Sequence, residues 1–207
     1  LATHRTLQKR SGRQWTFRVT AATAVVAAIA GWLLFKPAGA PEKIYTTAIG
    51  GHKIISLADG SRIELNTATE IRVRPEWRTV ELIRGEAYFQ IRHDNANPFT
   101  VLASGHRVTD IGTKFLVRAD SNRLQVTLLD GSVRFESAST GPRMHSEILK
   151  PGDVAVATAN SVSVTQSSPK ALADASAWRR GMLVFRDVTL AHAVAEFNRY
   201  NREQMVV

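Results

Sequence analysis

The chain has 207 residues, enough for one medium-sized domain or two small ones, and a formal net charge of +9. It contains no cysteine, which excludes disulfide bonds, thiolate catalysis and thiolate metal sites. The positive charge is concentrated in residues 1–18, beside a long apolar run, which favours membrane orientation and lipid headgroups over direct nucleic-acid binding. Because the chain begins with Leu1 and ends in a strand-like Val206-Val207, we expect it to be part of a longer protein.

Residues 19–35 form an uncharged run rich in alanine and valine. At about 1.5 Å per helical residue, this run reaches roughly 25 Å, the short end of what crosses a bilayer core. Basic and aromatic side chains flank both of its ends, as is typical of membrane interfaces. The pattern predicts one transmembrane helix, anchored by Trp15, Arg18, Val19, Trp32, Phe35 and Lys36.

Residues 1–18 contain four arginines and one lysine but no acidic residue, which predicts a cytoplasmic N-terminal segment and export of everything after Lys36. Two alternatives stay open for the apolar run. It could be a cleaved signal peptide, because Ala38-Gly39-Ala40 resembles a small-residue cleavage site, although the run is longer than a signal peptide needs. It could also be a buried alanine-rich helix of a soluble domain, which explains the flanking residues less well.

Residues 36–43 are predicted to be a short spacer, and residues 44–165 an all-β domain. In the latter range, apolar and polar residues alternate in runs of four to six, as in Ile63-Glu64-Leu65, where Glu64 should point outward. Turn residues such as Asp59-Gly60 and Asp130-Gly131 separate the runs. We expect a mainly β fold: a sandwich, a rolled sheet or a solenoid-like stack.

The pattern changes after this region. Residues 166–180 are predicted to be a linker or a short frayed helix, and Gly181 to Phe185 a strand. Thr189 can cap a helix that runs to about Tyr200, and another strand is expected to begin at Met205. Residues 181–207 therefore predict the start of a small α/β domain.

No motif for ordinary enzyme chemistry is present. The six histidines lack the spacing of a helical metal pair, and there is no phosphate-binding loop or nucleophile elbow. His93-Asp94 lies before Pro98 in a polar stretch, where a solvated turn is the simpler interpretation. We therefore expect a protein without enzymatic turnover, metal or cofactor, although the sequence leaves a paired-carboxylate glycosidase site open.

An ordered set of motifs resembles the FecR family of anti-sigma regulators. It runs from Tyr45 to Tyr200, and each motif alone is weak evidence. The set comprises Leu57-Ala-Asp-Gly-Ser61, Gly85-Glu86-Ala87-x-Phe89, Pro98-Phe99, Gly112-Thr113-x-Phe115, Pro151-Gly152, Trp178, Gly181-x-Leu-x-Phe185 and Asn198-Arg-Tyr200.

The resemblance implies a single-pass inner-membrane regulator with a periplasmic FecR domain, followed by the opening of a small secretin-and-TonB-like domain. Such a protein relays a signal from the signalling domain of a TonB-dependent outer-membrane receptor, commonly one for iron or siderophore uptake. The signal reaches a cytoplasmic extracytoplasmic-function sigma factor through proteolysis that ends with a site-2-type intramembrane protease. The residues expected to bind a partner are Trp178, Phe185, Asn198, Arg199 and Tyr200.

Some members of this family are cut spontaneously between the glycine and threonine that correspond to Gly112 and Thr113. The threonine hydroxyl can attack the preceding carbonyl and give an ester that water opens. The simpler interpretation is that Gly112 only relaxes a turn.

Two alternative functions stay open for the protein as a whole. It could be a membrane-tethered carbohydrate-binding or hydrolytic β protein, or a structural envelope protein.

Overall fold

A computed structural model of the chain describes residues 41–74, 78–110, 112–137 and 146–207. Ala40–Val207 form one compact unit. The predicted transmembrane helix and its anchoring residues, Trp15, Arg18, Val19, Trp32, Phe35 and Lys36, lie outside the described residues. Within the described ranges, no helix combines the length and apolar character that crossing a membrane requires.

The described residues between Lys43 and Gln166 form thirteen strands, so the expectation of a mainly β fold is confirmed. The strands are β1 (Lys43–Thr46), β2 (Lys53–Ser56), β3 (Arg62–Leu65), β4 (Glu70–Arg74), β5 (Thr79–Gln90), β6 (Phe99–Ala103), β7 (His106–Asp110), β8 (Lys114–Asp120), β9 (Arg123–Asp130), β10 (Val133–Ser137), β11 (Ser146–Leu149), β12 (Asp153–Thr158) and β13 (Val162–Gln166).

Strand β5 belongs to two sheets at once. Its first part pairs with β4 and β6 in one sheet, completed by β1, β7, β10 and β11. Its second part pairs with β3 and β8 in the other sheet, completed by β2, β9, β12 and β13. We call these the first and the second sheet. Gly85 lies between the two parts of β5, with a φ of +90° that favours glycine.

The two sheets enclose one hydrophobic core. Apolar side chains at alternate positions of the strands point into it, as the period of two predicts. Phe89 of β5 and Phe115 of β8 stack there with ring centroids 5.0 Å apart, and both are fully buried. Because β5 runs through both sheets, they form one continuous sheet that curls around this core, which is the rolled sheet among the three alternatives considered from the sequence.

After β13 the chain forms helices and extended stretches. Helix α1 (Pro169–Ala175) is followed by a 3₁₀-helix (Ala177–Arg180), and helix α2 spans Leu190–Asn198. Thr189 caps α2 by accepting a hydrogen bond from the backbone N–H of His192, as expected. The predicted strands at Gly181–Phe185 and from Met205 are wrong, because neither pairs with another strand among the described residues.

Candidate functional site

The outer face of the second sheet is covered by residues 168–207, which we call the C-terminal segment. Two side chains of β5 that point away from the core, Glu86 and Tyr88, are buried beneath it, as is Glu64 of β3. The sequence correctly places Glu64 on the outward face. Glu64 is nevertheless only 3% exposed, because the C-terminal segment covers this outward face of the sheet.

Arg179 connects the 3₁₀-helix to this face. Its guanidinium donates two hydrogen bonds to the carboxylate of Glu64, at 2.8 and 3.0 Å. It also lies over the ring of Tyr88, 3.5 Å from the centroid. A planar guanidinium can make a bidentate pair and a ring contact together, so Arg179 anchors the C-terminal segment through both.

Arg199 makes a second anchor at the end of α2. Its Nη2 donates to Oε2 of Glu86 at 3.1 Å, and its Nη1 pairs with Glu196 on the same helix. Glu196 in turn accepts a hydrogen bond from Arg118 of β8 at 2.9 Å. The result is a chain of alternating charges from β5 through α2 to β8 in which each partly buried charge is paired.

Hydrogen bonds of uncharged side chains support the same contact. The side-chain N–H of Asn66 donates to Oε2 of Glu86 at 2.8 Å and to the hydroxyl of Tyr200 at 2.7 Å. The hydroxyl of Thr67 donates to the backbone carbonyl of Arg199 at 2.9 Å. Burial raises the pKa of Tyr200, so its hydroxyl stays protonated at neutral pH.

Trp178 supplies the apolar centre of the contact. Its ring is 8% exposed and packs with Tyr88 and Leu116, two outward side chains of the second sheet. A cleft of about 340 Å³ lies next to this cluster, between the sheet and the extended residues 182–188. Phe185 lines the cleft and is 43% exposed. Asn198 faces elsewhere and binds the backbone N–H and carbonyl of Met205, both at 2.8 Å.

Apart from Asn198, which binds Met205, the residues predicted to bind a partner fall into two groups. Trp178, Arg199 and Tyr200 contact the second sheet of their own chain, and only Phe185 presents a large apolar surface to solvent. The sequence did not indicate that Glu64 and Glu86 form this site. A strand with alternating apolar and polar residues predicts that its polar face is exposed to solvent. The sequence therefore gives no sign that a carboxylate on that face is buried and paired with an arginine.

Acid should loosen this contact. Burial raises the pKa of Glu64, but the hydrogen bonds and charge of Arg179 outweigh burial and hold that pKa below its ordinary value of 4.5. Burial also opposes ionisation of Glu196, and the charges of Arg199 and Arg118 outweigh it, lowering that pKa too. A depressed pKa stabilises the folded form above the unfolded pKa, and this contribution is lost as pH falls through the folded pKa.

We therefore expect the C-terminal segment to stay docked at neutral pH and to loosen below about pH 4.5. The measurement is the fluorescence of Trp178 during an acid titration, taken as the difference between the protein and Trp178→Phe. Glu64→Gln is the matched control, because it cannot titrate and should remove much of the change. An identical titration curve in Glu64→Gln would contradict the assignment.

The Gly112–Thr113 junction lies at the start of β8, where the chain passes from the first sheet to the second. Gly112 has a φ of +141°, which favours glycine, and its N–H donates to Oδ1 of Asp110 at 2.9 Å. A Cβ on Gly112 would lie 2.6 Å from the Cβ of His93 and 2.7 Å from its Nδ1. Only glycine fits against His93 at this distance.

Thr113 is 4% exposed, and its carbonyl accepts the N–H of Ile91 at 3.0 Å. Its hydroxyl is buried and has no hydrogen-bond partner among the described residues. Its methyl group lies against Gly131, where an added Cβ would come within 2.3 Å of it. Buried hydroxyls are normally hydrogen-bonded, so this one is an exception in need of an explanation.

In the described part of the chain, no three metal-ligating side chains come together.

Residues 43–134 match the family model described as FecR protein, and the resemblance inferred from the sequence is confirmed over this range. No curated protein sequence matches the chain.

Two crystal structures of an anti-sigma factor from Parabacteroides distasonis ATCC 8503, described there as "putative", are similar to the chain. Both have 24% sequence identity and a TM-score of 0.66. One match covers 77% of this chain and 75% of the other, and the second covers 76% and 74%. At this identity the likeness establishes the shared fold.

Proposed function

We propose that this chain, whose residues 43–134 are a FecR domain, is an anti-sigma regulator that passes a signal across the inner membrane. The observation that carries the proposal is the FecR domain itself. The likeness of the fold to an anti-sigma factor over three quarters of each chain supports it. The uncharged run at residues 19–35, with its basic N-terminal flank, supplies the membrane helix that such a relay needs.

In this proposal residues 1–18 are cytoplasmic and the β domain is periplasmic. The external partner is the signalling domain of a TonB-dependent receptor, with iron or siderophore uptake as the inducing process. The internal partner is an extracytoplasmic-function sigma factor, released after a site-2-type protease cuts the membrane helix. The exposed side chain of Phe185, beside the cleft, offers apolar surface to the external partner.

Two measurements test this proposal. Alkaline phosphatase fused after Pro41 should be active, and a fluorescent protein fused before Arg5 should fluoresce, because the two sites lie on opposite sides of the membrane. Cross-linking of the whole protein in its native cells should then capture a sigma factor with the cytoplasmic part. Failure of either reporter would place both sites on one side of the membrane and contradict the proposal. Capture without any sigma factor would also contradict it.

We also propose that the chain cuts itself between Gly112 and Thr113. The buried Thr113 hydroxyl, unpartnered among the described residues, is a nucleophile next to the carbonyl it would attack. The positive φ of Gly112 is one that residues with a Cβ rarely adopt, which fits the glycine that the cleavage motif requires. Strands β5 and β8 pair across the cut, as do β7 and β10, so the two pieces should stay together after cleavage.

Removing the hydroxyl should abolish cleavage without harming the fold. Thr113→Val keeps the branched shape and deletes only the buried, unpartnered oxygen, so its stability should be equal to or greater than that of the wild type. On a denaturing gel the wild type should give two bands and Thr113→Val one. Both should elute identically on gel filtration, because the wild-type pieces remain paired.

Thr113→Ser is the matched control, because it retains the hydroxyl and should still be cut. Two bands from Thr113→Val would show that another protease makes the cut. A single full-length band from freshly purified wild type would show that no cleavage occurs.

A further inference from the structure

The proposed cleavage needs a group that handles protons, and the junction contains one that the sequence alone did not select. His93 follows β5 in an exposed loop and lies against Gly112. Its Nδ1 is 2.7 Å from the position that a Gly112 Cβ would occupy. By standard bond lengths, this places the ring nitrogen within about 5 Å of the scissile carbonyl carbon, the span of one bridging water.

The Thr113 hydroxyl and the His93 ring differ in their access to water. Thr113 is buried on the core side, where no solvent reaches its hydroxyl. His93 is exposed to solvent, and Asp110 accepts a hydrogen bond from the N–H of Gly112. The attacking hydroxyl is therefore shielded from solvent, whereas water has access to the ring of His93.

We propose that His93 is the general base that activates water for opening the ester, a role that rests on the proposed self-cleavage. In the first step, Oγ1 of Thr113 adds to the carbonyl carbon of Gly112. The C–N bond breaks, and the hydroxyl proton ends on the departing amine. The product is an ester between Gly112 and Thr113 with a free α-amino group on Thr113.

In the second step, His93 takes a proton from one water molecule as the oxygen of that water adds to the ester carbonyl. The C–O bond breaks, and His93 returns the proton to Oγ1 of Thr113. The net reaction consumes one water and yields a carboxylate on Gly112 and an N-terminal Thr113. His93 is unchanged at the end, as a general base must be.

His93→Ala tests this role cleanly. The alanine keeps the Cα and Cβ that pack against Gly112, so the conformation of the junction should remain, and only the exposed ring is lost. In cell-free synthesis of the full chain, the mass-spectrometric appearance of N-terminal Thr113 should slow by about 100-fold or more, the usual contribution of a general base. Free imidazole added to His93→Ala should restore part of the rate.

The ester gives a second readout that a purely structural role would not produce. When its opening is slowed, the ester should accumulate in His93→Ala, and hydroxylamine should cut it to leave a hydroxamate on Gly112. Thr113→Val should give no hydroxamate, because it cannot form the ester.

The outcomes separate the two proposals. Cleavage of the wild type combined with an unchanged rate in His93→Ala would overturn the role of His93 alone. Slow cleavage in His93→Ala without ester and without rescue by imidazole would assign His93 a structural role instead. An intact wild type that never forms N-terminal Thr113 would overturn self-cleavage and, with it, the role of His93.

Discussion

Gly85→Ala is expected to destabilise the protein by about 2–5 kcal/mol, the largest effect of any single methyl group that we predict. Gly85 has a φ of +90°, where an L side chain is strained by about 1–2 kcal/mol. A Cβ there would also lie 2.4 Å from Oγ1 and 2.6 Å from Cα of Thr69. Backbone atoms cannot rotate away, so the clash should add about 1–3 kcal/mol.

The hydroxyl of Thr69 gives this clash its importance. It accepts the N–H of Glu86 at 3.0 Å and lies 3.1 Å from the carbonyl oxygen of the same residue. These bonds fasten the loop before β4 to the point where β5 passes from the first sheet to the second. A displaced Thr69 therefore disturbs the one strand that joins both sheets.

Gly181→Ala is the matched control. Gly181 also has a left-handed φ, +73°, but an added Cβ would meet no atom within 4 Å. This variant should cost only the backbone strain of about 1–2 kcal/mol. Chemical denaturation of both variants measures the difference directly. Equal losses of the free energy of unfolding would show that the contact with Thr69 is not what requires glycine at position 85.

Arg199→Ala is expected to weaken docking of the C-terminal segment by about 2–4 kcal/mol, slightly below the range for a fully buried pair because Arg199 retains some exposure. The substitution removes the partner of Glu86, whose side chain is 10% exposed, and leaves that carboxylate charge poorly compensated. It also removes one of the two arginines that pair with Glu196. The loss should appear in α2, because this helix depends on the contact with the sheet.

Amide hydrogen exchange of residues 190–198 measures this effect. These amides should exchange about 30-fold to 1,000-fold faster in Arg199→Ala, the factor that corresponds to the expected free energy. The core strands should keep their protection. Arg202→Ala is the matched control, an exposed arginine in the same segment, and should change nothing.

A second substitution separates charge from shape. Glu86→Gln added to Arg199→Ala removes the uncompensated charge while the amide oxygen can still accept the hydrogen bond from Asn66. The double variant should therefore recover part of the lost protection. Unchanged exchange in Arg199→Ala would show that Trp178 and Arg179 hold the segment without this pair.

These anchors bear on the proposed signalling role. The described contacts between the C-terminal segment and the second sheet each involve a side chain: three arginine–glutamate pairs, the hydrogen bonds of Asn66 and Thr67, and the cluster around Trp178. Contacts of this kind open more easily than a strand ladder, because no row of backbone hydrogen bonds must break. A partner that bound the cleft beside Phe185 would act directly on this attachment.

The sequence alone determined the local structure of this protein. Alternating apolar residues specified the strands, because a strand turns successive side chains to opposite faces. Thr189 specified the start of α2, because its hydroxyl satisfies a free backbone N–H at a helix terminus. The turn glycines and the Gly112-Thr113 motif were also visible, since each depends on one short stretch of chain.

The tertiary structure decided which outward faces are buried. Glu64 and Tyr88 read as solvent-facing positions of half-buried strands, yet Arg179 and Trp178, from distant parts of the sequence, cover them. The predicted strand at Gly181–Phe185 does not form, for a related reason. A strand needs backbone hydrogen bonds to a neighbouring strand, and a local sequence pattern does not determine whether such a neighbour is present. The approach of His93 to Gly112 also arises only when the two sheets close around β5, so side chains far apart in sequence set the chemistry of the junction.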